Sequence, residues 1–325
     1  MKNKKMKFTT IPLKEISISD ERFKIAPEIR LETLLLSVKQ AGLLNPPVLA
    51  RRDDKNVILS GWKRIAAARK LSLERIPVFF SNEENDRRAF EIPVYENLSI
   101  REYTAVEKAE IIAKFKGFGA DEEEIRKTYL TLLALPPRPQ TEEACTAISS
   151  FDDEIKKTAF KKNFAFPVLQ KIAAFRPEER KRLLPLLSGL SKNSQVEVME
   201  NIWDMIGRDG GGLQKIFDSL GIQRIMRSEK LSPLQKSEKT RRVIRESRYP
   251  ALSSRRRRFS AALKKMGLPG NMSILTSKNF EEEGLTLHMT CRTQQEWENN
   301  IKEMKRLDGE DGITVLFDVL TDDEK

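Results

Sequence analysis

The chain has 325 residues, 39% of them hydrophobic and 33% charged, with a formal net charge of +11; that length suggests two or three domains with cores of their own. No apolar run approaches the ~20 residues of a membrane-spanning helix, and the basic residues 1–7 run into a strand-like segment without the apolar core of a secretory signal. Two cysteines, Cys145 and Cys291, and one histidine, His288, exclude a disulfide framework and a cysteine-rich zinc site and argue against a Ser-His-Asp triad, so the expectation is a reduced, cytoplasmic protein.

Residues 8–18 read as extended, with Ile11, Leu13, Ile16 and Ile18 among polar neighbours. Residues 27–40 read as a helix: Leu31, Leu34, Leu35 and Val38 form its apolar stripe and Gly42 its stop. Residues 46–50 begin a strand, 53–56 are a turn, and 57–59 return as the second strand of a hairpin. Ser60-Gly61 opens an alanine-rich helix over 62–71, and 76–80 is another strand. Residues 1–95 thus predict an α/β domain. From 96 to 220 the pattern is helical, with segments at 105–116, 122–135, 141–148, 152–161, 167–175, 177–187 and 195–206. Gly117-Phe118-Gly119, Pro136-Pro137-Arg138-Pro139 and Asp209-Gly210-Gly211-Gly212 punctuate it. Residues 221–268 form a partly helical basic segment. Residues 269–325 read as a small α/β unit: strands at 272–276 and 285–292, a helix at 294–307 and a last strand at 313–320. In the second of these strands the period of two puts His288 on the polar face and Cys291 on the apolar one, an exposed histidine and a buried, inert thiol.

The charge is not spread evenly. Residues 224–265 hold 15 basic and 3 acidic residues, a net of +12, against 44 basic and 45 acidic elsewhere. Arg241, Arg242, Arg245, Arg248, the run Arg255-Arg256-Arg257-Arg258, and Lys264-Lys265 dominate it. Such density needs a polyanion or counterions, and nucleic acid is the reading preferred here, ahead of a solvated linker or an anionic membrane surface.

A second signal lies at the strand-to-helix junction Val57-Ile58-Leu59-Ser60-Gly61-Trp62-Lys63-Arg64. Free amides at a helix start attract anions, and glycine permits close approach. Lys63 and Arg64 are the wrong sign for a first helical turn unless an anion sits there. The alternative is a surface turn with solvated cations.

The same stretch carries a family resemblance. Gly42-Leu43-Leu44-Asn45-Pro46-Pro47-Val48, then Leu59-Ser60-Gly61-Trp62-Lys63-Arg64-Ile65-Ala66-Ala67-Ala68, then Ile76-Pro77-Val78 resemble the G-L-x-x-P segment, the G-x-x-R box and the I-P-V strand of the ParB amino-terminal domain. Tyr95-Glu96-Asn97-Leu98 resembles the family's E-N box, and residues 151–180 resemble the helices after its helix-turn-helix. The resemblance implies an α+β multidomain chain. It would have a ParB/sulfiredoxin-like α/β domain, an all-helical middle domain with a degenerate helix-turn-helix, and the small α/β carboxyl-terminal unit. It implies CTP and Mg2+ as ligands. Gly61, Lys63 and Arg64 would hold the triphosphate, Glu96 and Asn97 would lie near the phosphates and metal, and Asn45 and Pro46 would border the nucleotide. Glu96 is also the candidate catalytic carboxylate. The box departs from the usual G-E-R-R at Trp62 and Lys63. The arginine usually found three residues after the asparagine is Ile100, with Arg101 one step later. Sulfiredoxins carry their catalytic cysteine directly after the box glycine; Trp62 stands there, which excludes that activity in its known form.

By position, 122–135 and 141–149 would form the helix-turn-helix. The second helix offers Thr141, Glu142, Glu143, Thr146 and Ser149 but no lysine or arginine, so base reading through it is disfavoured against a packing role. The expectation is therefore a nucleotide-responsive DNA-binding protein of the bacterial nucleoid, acting in partition, mobile-element maintenance or regulation. The short tail needs a partner for its core, either its own copy in a homodimer, as the resemblance implies, or the helical domain; a partition ATPase partner would also follow from the resemblance. A ParB-fold enzyme, whether a nuclease, a phosphotransferase or a CTPase, is the first rival. Asp53, Asp54 and Glu96 are carboxylates such an enzyme could use, but no spacing singles out a metal pair, and turn or surface charge is the preferred reading of them. A DNA binder with a degenerate pocket is the second.

Overall fold

A computed structural model describes residues 6–28, 31–277, 280, 284–309 and 312–321. The amino-terminal sheet runs in the order β1-β5-β3-β4-β2. Its strands are β1 (Lys7–Pro12), β2 (Ile16–Ser17), β3 (Val48–Arg52), β4 (Lys55–Ser60) and β5 (Arg75–Ser81). β3 and β4 form the expected hairpin, turned by Asp53 and Asp54 at φ 48° and 60°, the left-handed pair that short hairpin turns require. Val57, Ile58 and Leu59 are fully buried, as befits a strand covered on both faces. α1 (Glu32–Ala41) stops at Gly42, whose φ is 70°; it begins later than the expected residue 27. α2 (Trp62–Lys70) follows β4 directly. Its Ile65 and Ala68 pack with Leu13, Ile16, Leu49, Ile58, Ile76 and Val78 into the core of this layer.

α3 (Asp86–Leu98) runs across the expected boundary at 95/96. Asn85 caps it by accepting from the Arg88 amide at 3.0 Å. α4 (Ala105–Gly117) opens on a Thr104–Glu107 capping box. Rings run from sheet side to helix side: Phe23 and Phe90 centroids are 6.4 Å apart, Phe90 and Phe115 5.0 Å, Phe115 and Tyr129 3.6 Å. The helix expected over 122–135 is broken. A single turn, α5 (Glu122–Glu124), widens into a π-type stretch over Ile125–Leu130, and Ala134 at φ 51° ends it. α6 (Pro139–Ser149), α7 (Asp153–Lys161), α8 (Phe166–Ala173) and α9 (Pro177–Ser188) then pack as short helices. α10 (Lys192–Asp209), α11 (Leu213–Ser219), α12 (Ile222–Arg227), α13 (Pro233–Arg248) and α14 (Pro250–Met266) continue the chain.

The chain divides into two compact units, residues 1–200 with 226–238, and residues 201–225 with 239–325. The second unit ends in the hairpin β6 (Met272–Thr276) and β7 (Leu285–Met289), α15 (Gln294–Gly309) and α16 (Gly312–Thr321). Here one expectation fails: residues 313–320 are helical, not a third strand. The β-branched run Ile313-Thr314-Val315 suggested a strand. Burial decides otherwise, because Leu316, Val319 and Leu320 share one helical face. They join Phe259, Met266, Ile274, Phe280 and Leu307 in the unit's core. β7 also stops before Cys291, which is half-buried rather than buried and accepts from Asn300 Nδ2 at 3.2 Å. His288 is exposed opposite Ser273. Cys145 is buried in α6, and burial pushes its thiol up to about 12.

Candidate functional site

The junction of β4 and α2 forms one wall of a cleft of about 150 Å³, whose lining includes Lys24, Ser60, Gly61, Trp62, Arg64 and Asn97. Gly61 sits at φ 99°, and a Cβ there would lie 2.6 Å from Pro47 Cβ and 2.9 Å from Pro47 Cα. Both the backbone conformation and the room therefore require glycine. It precedes a helix with no side-chain cap and no acidic residue in its first turn, so the first amides of α2 and their dipole face the cleft.

Arg64 is held in place on three sides. Its Nη1 donates to the carbonyls of Asn45 at 2.9 Å and Pro46 at 3.0 Å, and its Nη2 to Glu96 Oε1 at 2.8 Å. The other Glu96 oxygen accepts from Ser60 Oγ. Asn97 turns back on α3, its Nδ2 donating to the Pro93 carbonyl at 2.7 Å. Lys63 is exposed at the rim. The residues expected around a nucleotide (Asn45, Pro46, Gly61, Lys63, Arg64, Glu96 and Asn97) thus converge on one place.

Other members of the site were not expected. Trp62 packs partly on the domain core, yet its Nε1 is buried with no hydrogen-bond partner. Such an orphaned donor costs about 1–3 kcal/mol unless something accepts from it. Lys24 Nζ stands 5.5 Å from the centre of its ring. Arg101 also lines the cleft, its guanidinium fixed by Glu107 at 2.6 and 2.9 Å. Ile100, at the position where an arginine was expected by resemblance, is 76% exposed, so the cation enters one residue later in the chain. The wall formed by residues 23–26 has no sequence signal beyond its position. Just before it, the Glu21 and Arg22 carbonyls accept from Lys114 Nζ of α4 at 3.1 and 2.9 Å, and Phe23 stacks on Phe118, just past the end of α4, at 5.6 Å.

The donor set fits a phosphate-bearing anion: two unspent requirements for an acceptor, the α2 amides and the Trp62 indole, meet several cations. A hard divalent cation would find Glu96 and Asn97 oxygens here and would need phosphate oxygens to complete its shell. Among the described residues no group of three His, Cys, Asp or Glu is placed to hold a metal. Asp53 and Asp54 form the β3–β4 turn, where Asp53 accepts from Arg22 at 3.3 Å.

The basic candidates lie on α13 and α14. Arg241, Arg242, Arg245 and Arg248 are on α13; Arg255, Arg256, Arg257, Arg258, Lys264 and Lys265 are on α14. Arg248 pairs with Asp204 at 3.3 Å and Arg242 with Glu246 at 4.0 Å. Arg257, Arg258, Lys264 and Lys265 are exposed and share a helical face opposite the buried Phe259 and Met266. In α6, Thr141 and Glu142 are buried, and Glu142 accepts from Lys116 at 2.9 Å and Arg126 at 3.2 Å.

Residues 1–98 match the family model described as the ParB N-terminal domain. Over 98 residues the chain is 34% identical to the nucleoid occlusion proteins of Bacillus thuringiensis (strain Al Hakam) and Bacillus mycoides (strain KBAB4). The match covers 29% of this chain and 33% of each relative, so the chain spans about a third of the length of the curated relatives it matches. Among solved structures, a Pnob8-like ParB-N domain aligns at 14% identity with a TM-score of 0.39, over 61% of this chain and 91% of that one. The carboxyl-terminally truncated ParB of Caulobacter crescentus in complex with CTP-gamma-S aligns at 19% identity and a TM-score of 0.26, over 55% of this chain and 99% of that one. No helix among the described residues is long and apolar enough to cross a membrane. Residues 1–98 are thus a ParB N-terminal domain, the part of the chain over which the likeness to the nucleoid occlusion proteins extends.

Proposed function

We propose that the protein is a nucleotide-responsive DNA-binding protein of the ParB type, with CTP as its nucleotide. The observation that carries this reading is the convergence of Gly61, Lys63 and Arg64 with the uncapped start of α2 and the orphaned Trp62 indole. In it, the α2 amides and Lys63 bind the phosphates. Arg64, now on Glu96, would be the cation that can turn to a phosphate, and Glu96 and Asn97 would then be the side chains able to hold the metal. Mg2+, when bound with the nucleotide, supplies charge neutralisation between phosphate oxygens. Residues 23–26 line the cleft, and their neighbours Glu21 and Arg22 are held by Lys114 of α4, so this segment would pass a change in the cleft to the helices. The cations of α13 and α14 supply phosphate contacts to DNA, with affinity from charge more than from base reading. The exposed Leu275, Leu287, Trp297 and Phe317 of the tail support a homodimer formed there. The relatives' names support a place on the nucleoid, where a partition ATPase would be a partner.

The test is calorimetric titration of CTP with Mg2+ into the full chain, with ATP and GTP beside it. Saturable CTP binding that disappears in Arg64→Ala is the expected result; a folded protein that binds no nucleotide overturns the reading. The Arg64–Glu96 pair favours a second reading, a DNA binder whose cleft is closed on itself. DNA affinity indifferent to CTP and to Arg64→Ala would establish it.

A further inference from the structure

The second unit carries a groove of its own, lined by Trp203, Asp204, Ile206, Gly207 and Arg248, with a volume of about 490 Å³. Trp203 and Gly207 lie one turn apart on the same face of α10. The indole is 41% exposed, so much of its apolar surface is not used in the core. Gly207 is harder to explain by folding. Glycine weakens a helix interior. Its φ is not positive, and a Cβ there would meet nothing within 4 Å. Neither backbone nor packing demands glycine, and its effect is to leave a slot open beside the indole.

The groove also contains a fixed planar cation. The Arg248 guanidinium is held edge-on by Asp204 Oδ2, with Nε and Nη2 both at 3.3 Å, and face-on by the Tyr249 ring at 4.9 Å. Tyr249 is itself 41% exposed. Flat π surfaces, a planar cation and an open slot suit a flat aromatic ligand. Arg241, Arg242 and Arg245 on the same helix suit that ligand's phosphates. A duplex keeps its bases stacked on each other and offers no face to an indole.

We propose that this groove stacks an unpaired base of a nucleic-acid strand, with Trp203 as the platform and Gly207 as the gap that admits the base. The inference rests on the DNA-binding reading above and adds a single-strand mode to it. Sequence-tolerant binding follows, because every base has a π face.

The experiment measures binding of an oligo-dT single strand and of a short duplex to the full chain by fluorescence anisotropy, with indole emission followed in parallel. Oligo-dT should quench the emission. Trp203→Ala should lower oligo-dT affinity about tenfold, abolish most of the quenching and leave duplex affinity unchanged. Gly207→Ala should give the same selective loss with a thermal midpoint equal to or above that of the wild type, which separates it from a folding defect. If Trp203→Ala does not fold, Gly207→Ala decides. Wild-type affinity for oligo-dT in the variants overturns the proposal, as does an equal loss for duplex or quenching that survives Trp203→Ala. Duplex binding without oligo-dT binding overturns the groove while the DNA reading stands; binding of neither overturns both.

Discussion

Arg64 is the side chain through which the candidate site can be tested most directly, because its present partner competes with any phosphate. The Arg64–Glu96 pair is part-buried, at 19% and 32% side-chain exposure, and a pair of that kind is worth on the order of 1 kcal/mol. Glu96→Gln keeps the shape and still accepts from Ser60, but it removes the competing charge. In Mg2+-free buffer the variant should bind tripolyphosphate about fivefold more tightly than the wild type, read by calorimetry. An unchanged or weaker affinity would mean that Glu96 does not occupy the anion's place. With Mg2+ present the difference should shrink, since Glu96 would then be needed on the metal side. Gly61 makes an independent demand. A Cβ at φ 99°, 2.6 Å from Pro47 Cβ, adds backbone strain to overpacking, together about 2–4 kcal/mol. Gly61→Ala should shift the urea midpoint of unfolding accordingly; a midpoint equal to the wild type's would show that the junction can open.

At the level of elements, sequence and structure agree where local chemistry and burial coincide. β3, β4 and α2 were legible because Val57, Ile58 and Leu59 are apolar, buried and bounded by a turn and a glycine. Resemblance and junction chemistry single out Gly61, Lys63, Arg64 and Asn97, which line the cleft, and Asn45, Pro46 and Glu96, which hold Arg64 beside it. The cleft's other wall was not legible, since residues 23–26 owe their place to Phe23 and Lys114, whose partners are far along the chain. α16 was misread for the same reason: only its packing partners reveal which period matters. α6 gives a prediction at this scale. Glu142 reads in the sequence as a carboxylate that would repel DNA, but its charge is spent on Lys116 and Arg126 inside the fold. Glu142→Ala should cost on the order of 1 kcal/mol of stability by removing the ion pair to Lys116, Arg126 keeping Glu122 at 3.1 Å, and should leave DNA affinity unchanged below the unfolding transition. A stable variant with altered DNA affinity would return α6 to the role of a reading helix.

For the whole molecule, the net positive charge rests entirely on residues 224–265, yet the structure shows that this segment is not a detachable tail. Phe259 and Met266 of α14 belong to the core of the second unit, so deleting the segment would unfold that unit and say nothing about DNA. Its charges also differ in what they can offer a polyanion, because Arg248 and Arg242 already have carboxylate partners. Arg257, Lys264 and Lys265 are exposed on the face of α14 turned away from the core, so their replacement by alanine should leave the fold intact. Log affinity falls with log salt at a slope of about 0.9 for every phosphate that the protein neutralises. If all three side chains neutralise phosphates, the slope of the triple variant should be shallower by about 2–3, with its thermal midpoint held. A weaker complex with an unchanged slope would place these cations away from the phosphates. An unchanged affinity would move the DNA-binding surface off α14 altogether.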